Sequence, residues 1–227
     1  MLIDLYSAEL NEATRFLLAR GLLSSYNTAH KQNPRHGVRE LVASYWRADP
    51  PKMVGSVPHA ELHRELTARN SFDLRFLDGA LMTFKYEFSA SGKGQLRRSA
   101  VSFLPSPDLT VFQEDPELYL GDALFGDVVD EGAVTVPLRF DYDAREAVVE
   151  ELRHPVSHLT IGSYKHCRIP LTCGASPYYV IEFVLRAFYQ TPTLAWSSDL
   201  PGPRTEPPVA TISDLERTLI HVALPTA

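Results

Sequence analysis

From residue 80 onward the chain alternates. Met82, Phe84, Tyr86 and Phe88 are separated by Thr83, Lys85 and Glu87, a period of two that predicts a half-buried strand. Ser91-Gly92-Lys93-Gly94 supplies a turn, and Arg97, Ser99, Val101 and Phe103 then alternate with Arg98, Ala100 and Ser102, closing a β-hairpin. Val134, Val136, Leu138, Phe140 and Tyr142 form a third run, with Thr135, Pro137, Arg139, Asp141 and Asp143 on its other face. The proline inside this run predicts an edge position or a bulge. Residues 157–161 and 165–171 predict a further hairpin turned by Gly162-Ser163.

The first 80 residues read as helical. Ser7 can cap a helix carrying Leu10, Ala13, Phe16 and Leu17. Val38, Leu41, Val42, Tyr45 and Trp46 fall at i, i+3, i+4, i+7 and i+8, one helical stripe ended by Asp49-Pro50-Pro51. Ser56 and Pro58 open a third helix with Leu62 and Leu66 inward. Residues 144–153 predict a short helix. Ser176-Pro177 opens a strong one with Val180, Ile181, Val184, Ala187 and Phe188 on its apolar side. Residues 108–132 read as an acidic loop. The tail predicts a helical turn near Asp214 and a strand over 218–224. Helices and strands are thus segregated. The expected fold is α+β, an antiparallel sheet of about five to six strands covered on one face by N-terminal helices and one C-terminal helix. One domain over 1–227 is expected, with a helical part (1–79), a sheet with its packed helix (80–191) and a Pro-rich segment with a C-terminal strand (192–227).

Composition narrows the function. An apolar share of 44% is too high for a disordered chain. The 22 basic residues against 28 acidic ones disfavour broad nucleic-acid binding, leaving nucleic acid only a local basic face. No stretch reaches the roughly 18 apolar residues of a membrane span, and the N-terminus has no signal-peptide pattern. A cytoplasmic protein without a membrane partner is expected. Cys167 and Cys173 lack Cys-x-x-Cys spacing and read as two buried thiols.

Alternation also gathers chemistry. Lys85, Glu87, Arg98, Arg139, Asp141, Asp143, His158 and Arg168 fall on the polar side of successive strands. Arginines can pair with phosphate and histidine can move a proton near neutral pH. His158, Arg139, Arg168 and Asp141 are therefore the candidate catalytic set, with His166 nearby; the alternative is a sheet face whose Arg and Asp residues pair with each other. His158-Leu159-Thr160-Ile161 has the form of half a two-histidine phosphoesterase, but its only counterpart, His221-Val222-Ala223-Leu224, lacks the hydroxyl. Glu87, Asp141 and Asp143 with Lys85 have the residue types of a Mg²⁺ nuclease cluster. His59 and His63 share a helix face but lack a third metal ligand. No metal and no cofactor-binding residue is assigned.

Several segments together resemble a known family. His154-Pro155-Val156-Ser157-His158-Leu159, Cys167-Arg168-Ile169-Pro170-Leu171, and Ser176-Pro177 with a helix ending in Phe188-Tyr189 are similar to an uncharacterised prokaryotic family, domain of unknown function 2290. Phe103-Leu104-Pro105-Ser106-Pro107 and 137–143 fit the same pattern. The resemblance supplies no activity or site; it implies a prokaryotic protein associated with defence loci or mobile elements. Two functions follow as expectations. One is a non-catalytic accessory or interaction subunit with a protein partner from the same operon, for which Trp196 in the Pro-rich segment is an anchor. The other is a phosphodiester-active enzyme, a ribonuclease or nucleotide-processing toxin, with His158 as acid or base and the arginines on phosphate.

Overall fold

The computed structural model describes residues 1–35, 37–42, 57–109, 114, 117, 126, 135–164, 166–189 and 198–226. Tyr45, Trp46, Ser56, Val134, Lys165, Trp196 and nearly all of the acidic stretch lie outside them. The described elements run α1 (Leu2–Ala19), β1 (Leu23–Tyr26), β2 (His30–Arg35), β3 (Val38–Val42), α2 (His59–Ala68), β4 (Leu74–Phe76), β5 (Leu81–Ser89), β6 (Leu96–Leu104), β7 (Leu138–Asp143), β8 (Ser157–Ile161), β9 (Ile169–Pro170), α3 (Pro177–Phe188) and α4 (Asp214–Arg217). The fold is α+β, and the nine strands form one antiparallel sheet.

Its spine is β5–β6, turned through Gly92 and Gly94, whose φ values of 60° and 76° favour glycine. β7, β8 and β9 follow on one side. On its other edge β5 is shared. β4 pairs with its start, Leu74 opposite Met82, and β3 with its remainder, Val42 opposite Lys85 through Val38 opposite Ser89. β1 extends β4 and β2 extends β3. Between the two neighbours the Phe84 amide has no strand partner and donates 2.7 Å to the Asp73 carboxylate instead.

Residues 38–42 are therefore strand, not the predicted helix, and β1 to β4 occupy much of an N-terminal part expected to be helical. Other expectations also shift. α1 begins at Leu2, before Ser7. Pro137 precedes β7, which is a central strand between β6 and β8 rather than an edge. Residues 144–153 form turns rather than a helix. Residues 218–224 form no strand; Val222 makes an isolated parallel bridge to Leu171, just past β9.

One sheet face carries Met82, Phe84, Tyr86, Phe88, Val101, Phe103, Phe140 and Leu159, all buried. α1 and α3 cover it. The Tyr6 ring meets Tyr86 and Phe88 edge-on at 4.8 and 5.2 Å, Phe183 meets Phe140 at 5.3 Å, and Tyr189 stacks on Phe76 at 4.9 Å. α3 starts as the sequence predicts, with Ser176 at its N-cap and Pro177 in its first turn. α2 lies on the opposite face, where Leu62 and Leu66 pack with Phe72, Leu81 and Leu104 at one end of the sheet. Most of the described remainder of that second face is polar. Both thiols are free, Cys173 buried and Cys167 half-buried.

Candidate functional site

Strand register assembles the polar face in rows. Thr83, Ser102, Arg139 and Thr160 are cross-strand neighbours, as are Lys85, Ala100, Asp141 and His158, and then Glu87, Arg98 and Asp143. Ion pairs form both between opposed residues of one row and between residues two apart on one strand. Lys85 Nζ lies 3.0 Å from Glu87 Oε1, Arg98 Nη1 4.0 Å from the same oxygen, and Arg98 Nε 3.8 Å from Asp143 Oδ2. Arg145 Nη2 donates to Asp143 at 2.5 Å, and Arg139 Nε donates to Asp141 Oδ2 at 2.5 Å. His158 Nε2 completes the chain 3.6 Å from that same Asp141 oxygen.

Three of the four candidate catalytic residues, Arg139, Asp141 and His158, are thus in one contact chain. Arg168 is not in it: its Nη1 donates 2.8 Å to the Arg153 carbonyl and holds the 150–154 turn. His166 is exposed. Of the anticipated Arg–Asp pairing across strands, Arg98–Asp143 is present; Arg139–Asp141 and Arg145–Asp143 instead pair residues two apart along the chain.

His158 is buried, and its Nδ1 lies 3.0 Å from the Pro155 carbonyl. With Nδ1–H donated there, Nε2 faces the Asp141 carboxylate. Burial pushes the imidazole below its usual range; Asp141 and the Pro155 carbonyl offset this only in part, and His154 and Arg168 add to it. At Asp143 burial raises the carboxyl, but the Arg145 guanidinium and amide outweigh it and hold it below the usual carboxylate range. A general acid or base needs a ring nitrogen within reach of substrate. In this geometry both His158 nitrogens are directed at the protein's own oxygens.

His154 was missed as part of this cluster. Its ring meets His158 edge-on, 5.0 Å between centroids, and its Nδ1 is buried without a hydrogen bond. The spacing of four from His158 was visible, but only the turn between them brings the rings together. On α2, His59 Nε2 lies 2.8 Å from the Pro105 carbonyl and His63 Nε2 2.9 Å from the Gly79 carbonyl. Burial lowers both imidazoles. These contacts tie both rings to backbone carbonyls through Nε2. Among the described residues no group of three or more His, Cys, Asp or Glu is placed to hold a metal ion.

A neutral buried imidazole makes stability pH-dependent. The contribution of His158 is present above its ordinary value of 6.5 and is lost as pH falls through its lower folded value. His158→Asn keeps an N–H for Pro155 but cannot titrate. Below pH 6.5 the wild type is expected to take up as much as about one proton more than H158N on unfolding, giving H158N the shallower loss of stability on acidification. Denaturant titrations of both proteins from pH 7 to 5 check this.

An α+β chain with a charge-laddered antiparallel sheet defines the class of protein. Residues 22–224 match the family model described as an uncharacterized conserved protein, DUF2290, and the chain belongs to that family. No curated protein and no solved structure matches it. Among the described residues no helix is long and apolar enough to cross a membrane.

Proposed function

We propose that this chain is an accessory or interaction subunit of a prokaryotic multi-protein system, of the kind found with defence loci or mobile elements, and that it docks a protein partner through its C-terminal segment. One observation carries this reading. Leu215, Leu219 and Ile220 stand 46%, 51% and 90% exposed on a segment that is firmly held, and Leu152 stands 41% exposed on the turn set against it. Ser213 and Glu216 cap α4 reciprocally, and Ser213 Oγ donates to Glu151 Oε1 at 2.5 Å. The Leu152 amide donates to Glu216 Oε1 at 3.4 Å, which sets the 150–154 turn against α4. Farther on, Thr172 and Leu224 exchange hydrogen bonds. Large apolar side chains fixed in water together mark a surface for a protein with a matching apolar patch. The paired charges on the sheet face support the same reading, because guanidinium groups neutralised by carboxylates offer little to nucleic-acid phosphates.

The test is co-purification with the protein encoded beside it. Wild type is expected to co-elute, whereas Ile220→Asp with Leu219→Ser elutes alone and melts within about 2 °C of wild type, as surface substitutions do. A wild type that stays separate from every operon neighbour overturns the reading.

The contact chain Arg139–Asp141–His158 favours a second reading, a phosphodiester-active enzyme. It requires His158 Nε2 to turn from the Asp141 carboxylate to substrate while Arg139 leaves the same carboxylate to bind phosphate. Toxicity on expression, abolished in a folded His158→Ala variant, supports it; full toxicity in that variant removes His158 from the mechanism.

A further inference from the structure

Among the described residues, two that are not glycine stand in the left-handed region, Asn70 at φ 51° and Leu152 at φ 66°. Asparagine visits this region readily because its short amide bonds locally. A leucine there brings its Cβ against the following carbonyl oxygen. The turn imposes the conformation. Glu150 and His154 exchange backbone hydrogen bonds of 3.1 and 2.6 Å, and the Arg153 amide donates 3.0 Å to the Glu150 carbonyl. Arg168 Nη1 holds the Arg153 carbonyl at 2.8 Å, and the Leu152 amide is drawn to Glu216 Oε1. A glycine at 152 would meet the same constraints without strain.

Core packing does not offset that strain. Leu152 is 41% exposed and packs against neither apolar cluster of the described residues. Strained residues fixed by their surroundings gather where other molecules bind, and this one adjoins the segment that carries Leu215, Leu219 and Ile220. We infer that Leu152 is the anchor of the docking surface proposed above, an inference that rests on that reading: its side chain fills an apolar pocket of the partner, and basic side chains rim that pocket. A side chain set in place before contact binds with little ordering cost. The rim follows from charge. Glu150 and Arg153 are exposed and neutralise each other at 3.0 Å. Ser213 Oγ bonds Glu151 and so brings it near the next residue, Asp214. These two exposed carboxylates face water with Arg217 as their exposed counterpart on α4, a surplus that lysine or arginine on the partner would complement.

The full chain is mixed with the protein encoded beside it, and affinity is read by calorimetry at low and high salt. Thermal unfolding of each variant alone is read in parallel. Leu152→Gly and Leu152→Ala both remove the anchor and are expected to weaken association at least about tenfold. Without the partner, L152G is expected to melt within about 2 °C of wild type or above it, because relief of the backbone offsets the lost side chain. L152A keeps a Cβ in the left-handed region and should melt about 3 °C below L152G. Asp214→Lys is expected to weaken association about threefold at low salt and less at high salt. An L152G chain that melts more than about 2 °C below wild type shows that Leu152 serves its own fold, and overturns the inference. So does L152A as stable as L152G, or wild-type affinity in L152G. Unchanged affinity in D214K overturns the basic rim. A wild type that binds no neighbour fails the docking reading and takes the anchor with it. Any of the other failures, with wild type still binding, leaves docking at Ile220 standing and removes Leu152 from its centre.

Discussion

Glu9→Ala is expected to lower the unfolding free energy by about 3 kcal/mol, because it strands several buried donors at once. Glu9 lies on the inner side of α1 and is buried. Its Oε1 accepts from the Arg204 amide at 2.8 Å, the Thr205 amide at 3.0 Å and the Thr205 hydroxyl at 2.9 Å. Its Oε2 lies 3.4 Å from the Tyr178 amide, in the first turn of α3, where the helix dipole favours a negative charge. One carboxylate therefore ties the first helix to the last long helix and to the tail. Arg204 adds an exposed ion pair with Glu12. Alanine leaves the buried donors without water to replace the lost oxygens. Glu9→Gln keeps an acceptor but loses the charge, and should cost roughly half as much. Urea denaturation reads the totals, and hydrogen exchange at residues 204 and 205 should speed up first. A loss below about 1 kcal/mol for E9A would mean that the tail is held elsewhere.

Phe103→Ala is expected to cost more, about 4 kcal/mol. Phe103 is buried on β6, opposite Met82 on one side and Leu138 on the other. Its ring lies 4.9 Å from Phe188, 6.4 Å from Phe76 and 6.5 Å from Tyr189. It joins the centre of the sheet to the end of α3, where backbone on both sides prevents collapse into the space left behind. Phe103→Leu retains most of the volume and should cost about 1.5 kcal/mol. Chemical denaturation of both variants checks the ordering; a leucine as costly as alanine would show that ring geometry, rather than volume, holds the site.

The period-two segments were legible because each strand separates an apolar face from a polar one. Met82 to Phe88, Arg97 to Phe103 and Leu138 to Tyr142 needed no tertiary knowledge to be read as strands. The same alternation, with antiparallel neighbours, sufficed to put Arg139, Asp141 and His158 on one surface. Arg168 escaped because β9 is only two residues long and begins after that residue. Residues 38–42 were misread for a different reason. Val38, Leu41 and Val42 satisfy helical spacing, but the long edge of β5 offers five ladder partners, and such pairing overrides a short local preference. Glu9 and Asp73 carried no local signal. Their partners are 196 and 11 residues away in Thr205 and Phe84, and nothing near either acid in sequence announces them.

The shared edge of β5 has a consequence during synthesis. β1 to β4 leave the ribosome before the strand that orders them, and neither the β2–β3 hairpin nor the long-range β1–β4 pair has its complete template until residue 89 has emerged. For that interval their open edges can pair with other nascent chains. A chaperone that shields the first 80 residues would therefore raise the yield of native protein more than one acting on the finished chain.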